Sequence, residues 1–163
     1  MRQRITHPLS PLFDHNSKVL ILGTMPSPAS RQRGFYYAHP QNRFWRLMFD
    51  ILETPFSTDD GARRRLCLDN GIALWDVLQS CSIEGAADST IKNAVPNDLT
   101  LITKSAEIKA VFTTGQTAGR LYRRLCRPQT GLEAVILPSP SGANCAMKYD
   151  ELAARYRELL KWL

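Results

Sequence analysis

Long apolar runs are missing from this chain of 163 residues: none approaches the roughly 20 residues that cross a bilayer. The opening segment, MRQRITHPLSPLFDHNS, has no apolar core of the kind a secretory signal carries, so a cytoplasmic address is expected, nucleoid-associated in a bacterium. Cysteine and histidine are sparse. The four Cys stand at 67, 81, 126 and 145 with no C-x2-C pair, and the three His at 7, 15 and 39 lie far apart. That spacing argues against structural zinc, an iron–sulfur cluster or any other metal, and scattered cytoplasmic thiols are expected to be reduced. Neither a G-x4-G-K-[ST] phosphate cradle nor a dinucleotide G-x-G-x-x-G occurs. A G-x-S-x-G elbow is missing as well; Ser141 lies in P-S-G, which disfavours nucleophilic serine hydrolysis. No cofactor is expected. With no repeat, low-complexity tract or linker, residues 1–163 are expected to form one domain.

What is present reads as a soluble globular protein, 44% hydrophobic and 22% charged. The net charge of +6 comes mainly from arginine, 15 Arg against 6 Lys. Arginine pairs bidentately with phosphates, so the balance leans toward an anionic partner such as nucleic acid.

The chain alternates short apolar runs with helical patterns. KVLIL (18–22), IALWDVL (72–78), IKAVFTT (108–114) and EAVILP (133–138) read as strands. Helices are expected from Asn42, over Asp59–Leu68, from Asn97 to about Lys104, from about Thr117 to Cys126, and from Asp150 to about Trp162. The segments 23–40 and 79–96 read as loops. Strands alternating with helices imply an α/β fold on a parallel sheet with helices on both faces, and ligands in such folds bind beyond the carboxyl ends of the strands. The unusual loops, GTMPSPAS, WDVLQSCSIEG, TTGQ and PSPSGAN, all fall on that edge.

Two of these loops invite chemistry. GTMPSPAS (23–30) and PSPSGAN (138–144) are small-residue, Pro-stiffened loops suited to close approach. The run GFYYAHPQNRFW (34–45) crowds aromatics and amides behind the first. Phe44 and Trp45 open a helix and point to the core, whereas Phe35, Tyr36 and Tyr37 lie in a loop where a planar ligand could stack. Base–aromatic stacking is worth about 1–3 kcal/mol. His39 suits a loop-fixing hydrogen bond, and Asn42 at a helix start equally suits a plain N-cap.

Taken together, GTMPSPASRQRGFYYAHPQNRFW, LPSPSGAN and the middle segment LWDVLQSCSIEGAADSTIKNAVPNDL (74–99) resemble the uracil-DNA glycosylase superfamily, most of all its hypoxanthine-DNA (deoxyinosine) glycosylase class. The run through Trp45 is also similar to one in the mismatch-specific uracil/thymine class. The resemblance spans nearly the whole chain in order. It implies a three-layer α/β/α fold around a short central parallel sheet. The implied activity is a monofunctional, monomeric base-excision enzyme on double-stranded DNA, which flips a damaged nucleotide and hydrolyses its N-glycosidic bond.

The same resemblance implies the site. The hypoxanthine class implies the Asn of the PQNRFW run, Asn42, as the catalytic group; Met25 stands where several other classes carry a water-orienting Asn or Asp, a departure typical of the hypoxanthine class. Gly23, Thr24, Met25, Phe35, Tyr37 and His39 form the implied base-binding set, with Tyr37 stacking on the flipped base. Pro26, Ser27, Ser30 and Arg43 on one side, and Ser139, Ser141, Gly142, Ala143 and Asn144 on the other, are the implied DNA contacts, with 143–145 as a wedge into the vacated stack. Position 139 is Ser where some classes have His; with Met25, this should weaken uracil excision relative to hypoxanthine. No Lys occupies the two loops, so an abasic product without strand cleavage is expected. Asp76, Glu84 and Asp88 are the carboxylates nearest the expected mouth, and Thr114 stands where relatives carry an amide; roles for all four stay open. Two alternatives remain: a non-catalytic nucleic-acid-binding module on this fold, and an enzyme acting on free nucleosides.

Overall fold

The computed structural model describes residues 2–163. It opens on a strand that the sequence pattern does not announce, β1 (Arg2–Thr6), and then enters β2 (Val19–Gly23), every residue of which is buried. The other expected strands form as β3 (Ile72–Asp76), β6 (Ala110–Thr114) and β7 (Ala134–Leu137). They build a four-stranded sheet in the order β3-β2-β6-β7, with every neighbouring pair parallel. β2, β3 and β6 are apolar almost end to end because helices cover both faces of a parallel sheet.

The remaining strands correct two expectations. The run 72–78 is not one strand: β3 ends at Asp76, and after Val77 the chain enters β4 (Leu78–Glu84). The expected loop beyond it is strand β5 (Ala87–Pro96), so that β1, β4 and β5 form a separate antiparallel sheet. Asn97 is not a helix start. Its buried side-chain amide donates to the carbonyls of Asp76 (2.9 Å) and Leu78 (3.1 Å), which fixes the turn where the two sheets meet.

Among the helices, α1 (Pro28–Arg33) lies inside the expected first loop. Its ends have ordinary causes: Ser27 caps the amide of Ser30, Pro28 starts it, and Gly34 at φ 79° ends it. In α2 (Phe44–Ile51), Phe44, Trp45, Leu47, Met48, Phe49 and Ile51 are all buried. Asp59 caps α3 (Asp60–Asp69). α4 is a single turn, Thr100–Thr103. α5 (Gln116–Leu121) does not stop at Cys126: it widens into a π-helical segment, Tyr122–Cys126, and continues as α6 (Arg127–Thr130). Pro128 has no N–H to return to the preceding turn, consistent with a change of helical register there. α7 (Tyr149–Tyr156) tightens into a 3₁₀ segment, Arg157–Trp162. Among the described residues no helix is long and apolar enough to cross a membrane.

β2 is the switch point of the parallel sheet, with β3 on one side and β6 on the other. A ligand crevice is expected at the carboxyl ends of strands about such a point. Gly23 pairs with Asp76, while Leu22 pairs with Thr113 one residue below Thr114. In-register neighbours of a parallel sheet share a face, so the last residues of the three strands converge.

Candidate active site

A cavity of about 180 Å³ opens over those strand ends. Ligand sites commonly span roughly 300–1,000 Å³, so this space suits one base better than a nucleotide cofactor. Its floor is Gly23. A Cβ there would stand 2.5 Å from Asp76 Oδ1, 3.4 Å from Tyr37 Oη and 3.5 Å from Thr114 Oγ1, so three oxygens converge on one point that only glycine leaves open.

Asp76 is 4% exposed. Its Oδ2 lies 2.7 Å from Nε2 of His7, whose side chain is equally shut away from solvent. The His7 Nδ1 accepts the Leu9 N–H at 3.2 Å, which puts the ring proton on Nε2, where it donates to the carboxylate. Among the described residues no donor reaches Oδ1, which lines the cavity.

Tyr37 forms a wall. Its ring stacks on Phe44 at 3.8 Å between centroids and 15° between planes, and its hydroxyl sits 3.2 Å from Thr114 Oγ1. Burial and then the Asp76 charge push the Tyr37 hydroxyl pKa well up, so it stays a neutral phenol. Its φ of 51° lies in the left-handed region, a conformation costly for a bulky aromatic and held here by the stack on Phe44 and the bond to Thr114. Between the Tyr37 and Thr114 hydroxyls one proton is shared, and the other is free to point at a carbonyl oxygen.

Asn42 stands at the rim, shared between the cavity and a wider surface groove. Its Oδ1 accepts the Phe44 N–H at 2.9 Å, tethering it to the first turn of α2. Asn42 is not the N-cap of α2, a position that Arg43 takes with no side-chain capping bond; the tether to Phe44 still orients the Asn42 amide, leaving Nδ2 and the second Oδ1 lone pair for a ligand or water.

The structure brings Gly23, Thr24, Met25, Pro26, Ser27, Ser30, Tyr37, Asn42, Asp76, Asp88, Thr114, Ser139 and Ser141 to one cavity. It does not bring Phe35 or His39 there. Phe35 is buried, stacked on Trp45 at 5.7 Å. His39 is exposed on the outer groove, where Nδ1 accepts the Gln41 N–H at 3.1 Å.

Ser30 lies inside the first loop rather than on its surface: it is buried, and its hydroxyl bonds to Ser27 and accepts the Ala38 N–H. Arg43, expected at DNA, is instead a strut between the two loops. Its guanidinium donates to the carbonyls of Pro140, Ser141, Asn144 and Met147, which leaves little of its fork for a phosphate. A Cβ on Gly142 would come 2.9 Å from Gln41 Cβ, so the loops are pressed together. Ser139 Oγ accepts the Ser141 N–H, Ser141 Oγ accepts the Ala143 N–H, and Asn144 Nδ2 donates to Ser139 O. Gly142, Ala143 and Asn144 continue outward from the cavity, with Ala143 and Cys145 exposed.

Asp88, on an exposed stretch of the β4–β5 hairpin, turns its carboxyl toward the mouth. Burial there raises its pKa, the Thr24 hydroxyl pulls it back, and the Asp76 charge raises it further. Glu84 points away and pairs with Arg2 at 3.7 Å. Among the described residues no cluster of three or more His, Cys, Asp or Glu is placed to hold a metal.

Sequence reasoning missed His7 altogether, along with Arg31 of the cavity wall. His7 lies 69 residues before its partner, and no local pattern announces the contact.

A family model of the Uracil DNA glycosylase superfamily matches residues 10–162. A Hypoxanthine DNA glycosylase from Methanosarcina barkeri (strain Fusaro / DSM 804) is 36% identical over 136 residues, covering 82% of this chain and 85% of that protein. Its counterpart from Methanosarcina acetivorans is 35% identical over 135 residues, covering 82% and 84%. The solution NMR structure of a Methanosarcina acetivorans protein assigned to the uracil DNA glycosylases superposes with a TM-score of 0.79 at 31% identity, covering 98% of this chain and 99% of that one. A one-base cavity at the switch point, walled by two stiff Ser-Pro loops, and a family match across nearly the whole chain lead to the same place: the chain belongs to the uracil DNA glycosylase superfamily.

Proposed function

We propose that this chain acts as a single-domain, monomeric DNA glycosylase that removes deaminated bases from double-stranded DNA, hypoxanthine above all, without metal or cofactor. The carrying observation is the cavity floor. Asp76 Oδ1 is an acceptor and the Tyr37–Thr114 hydroxyl pair supplies a donor, side by side above Gly23. That pair complements the N1–H and O6 of hypoxanthine. Adenine presents the inverse, a bare N1 beside an amino group, and would set its lone pair against the carboxylate.

In this reading the flipped base slides onto the face of Tyr37 opposite Phe44, and stacking offsets part of the few kcal/mol that extrusion costs. Asp76 selects the lactam edge. The Thr114 hydroxyl, its oxygen accepting the Tyr37 O–H, donates to O6, where negative charge accumulates as the purine departs. Asn42 is too weak a base to deprotonate water, so its role is to hold one near the sugar carbon while the glycosidic bond lengthens toward an oxocarbenium ion. Water adds to the sugar, its proton passes to solvent or to the departing base, and an abasic site remains.

The test is a duplex with one deoxyinosine, incubated with the full chain. The expected products are free hypoxanthine and an intact strand that breaks only on alkali treatment. Binding without product would favour a non-catalytic module, and action on free deoxyinosine alone would favour a nucleoside enzyme.

A further inference from the structure

The Asp76 carboxylate is held by a residue from outside the family-matched segment. That match begins at residue 10, whereas His7 follows directly on β1. β1 pairs antiparallel with β4 from Arg2↔Glu84 to Thr6↔Ser80, and the His7 N–H extends the ladder to Gln79 O at 2.6 Å. The ladder carries the imidazole beneath the end of β3. There it stands between Tyr36 at 6.4 Å and the edge-on ring of Trp75 at 6.3 Å. Trp75 Nε1 in turn donates to Leu9 O at 3.4 Å, bracing the turn that sets the ring.

Two hydrogen bonds fix the chemistry of this contact. With Nδ1 accepting the Leu9 N–H, the Nε2 proton can only point at Asp76 Oδ2. A carboxylate bonded this way is pinned in rotation and accepts only, so Oδ1 presents lone pairs to the cavity.

We infer that His7 is a positioning residue for base selection: by donating Nε2–H to Asp76 it fixes the carboxylate as the acceptor that admits lactam bases and rejects a base with a bare N1. This rests on the reading of Asp76 given above. A purely structural His7 would staple β1 to the core and affect every substrate alike, whereas a positioning His7 affects the lactam edge in particular.

Two substitutions divide its two bonds. His7→Asn keeps an acceptor where Nδ1 receives Leu9 N–H but reaches no donor to Asp76. His7→Gln places an amide N–H2 near the Nε2 position and gives up the Leu9 bond.

The experiment measures single-turnover excision by the full chain on duplexes carrying deoxyinosine or 2′-deoxynebularine, whose purine lacks both N1–H and O6 and fits wherever hypoxanthine fits. The ratio of the two rates reports reading of the lactam edge. A hydrogen bond to a charged group is worth about a tenfold effect or more. In His7→Asn the ratio is expected to fall about tenfold, and in His7→Gln to return to within about threefold of wild type. Equal losses on both substrates, or better rescue by Asn than by Gln, would overturn the inference. Asp76→Asn runs in parallel. If it leaves the ratio unchanged, the base-reading role of Asp76 fails; if it collapses the ratio while His7→Asn does not, only the role of His7 fails. A long-range ¹H–¹⁵N spectrum of the wild-type ring is independent of how any variant folds. Protonated Nε2 and bare Nδ1 are expected, and a proton on Nδ1 would overturn the inference.

Discussion

Gly23→Ala probes the cavity floor with one methyl group. The added Cβ would lie 2.5 Å from Asp76 Oδ1, where ordinary contact begins at about 3.4 Å, so the carboxylate must retreat by almost an ångström. Gly23 is not among the positive-φ glycines, so alanine incurs no backbone strain there. Its smaller unfolded-state entropy should even favour folding by about 0.4–1 kcal/mol. Against that stands the 2.7 Å bond from His7 to Asp76, which the retreat breaks at about 1.5–3 kcal/mol. Net destabilisation should be about 1–2 kcal/mol, which leaves the protein folded. Excision loses the same kind of bond to the base, about 1.5–3 kcal/mol or roughly 10–150-fold. The assay is single-turnover release of hypoxanthine from a deoxyinosine duplex, with a thermal melt alongside. A folded Gly23→Ala protein with wild-type excision would refute the placement of the base over Gly23.

Other consequences follow from the same geometry. Tyr37→Ala removes the stacking face and should weaken productive substrate binding by about 1–3 kcal/mol, whereas Tyr37→Phe keeps the ring on Phe44 and loses only the bond to Thr114, so titrating single-turnover rates should rank wild type, Phe, Ala. Thr113 is fully buried and its hydroxyl has no partner among the described residues; Thr113→Val should raise stability by about 1 kcal/mol and the melting temperature by roughly 2–4 °C in a thermal scan. With a net charge of +6, DNA affinity should fall steeply as salt rises, with a log–log slope of about −0.9 per phosphate contact, measured by fluorescence anisotropy.

The parallel sheet was legible because burial on both faces writes continuous apolar runs, and Val19–Leu22 and Ala110–Phe112 are such runs. The antiparallel sheet was not. β5 reads ADSTIKNAVP, largely exposed, and no apolar alternation marks it. α1 carried its signals, Ser27, Pro28 and Gly34, but a helix of six residues is too short to show a period. The placement of Asn42, Tyr37 and the two loops at one cavity was legible from GTMPSPAS, GFYYAHPQNRFW and PSPSGAN, whereas what Arg43 does was hidden. A charge beside a Ser-Pro loop looks like a phosphate contact until four carbonyls are found around it. Asp76 was visible as a carboxylate at a strand end, but its use depends on His7, and only the pairing of β1 with β4 brings those two together.

Whether excision at this cavity depends on Asn42 handling the water is decided by single-turnover release of hypoxanthine by wild type and Asn42→Ala, with duplex affinity measured in the same buffer. The variant is expected to lose about 10²–10³-fold in rate while binding the deoxyinosine duplex nearly as tightly. An Asn42→Ala protein that releases hypoxanthine at close to the wild-type rate would contradict that role of Asn42.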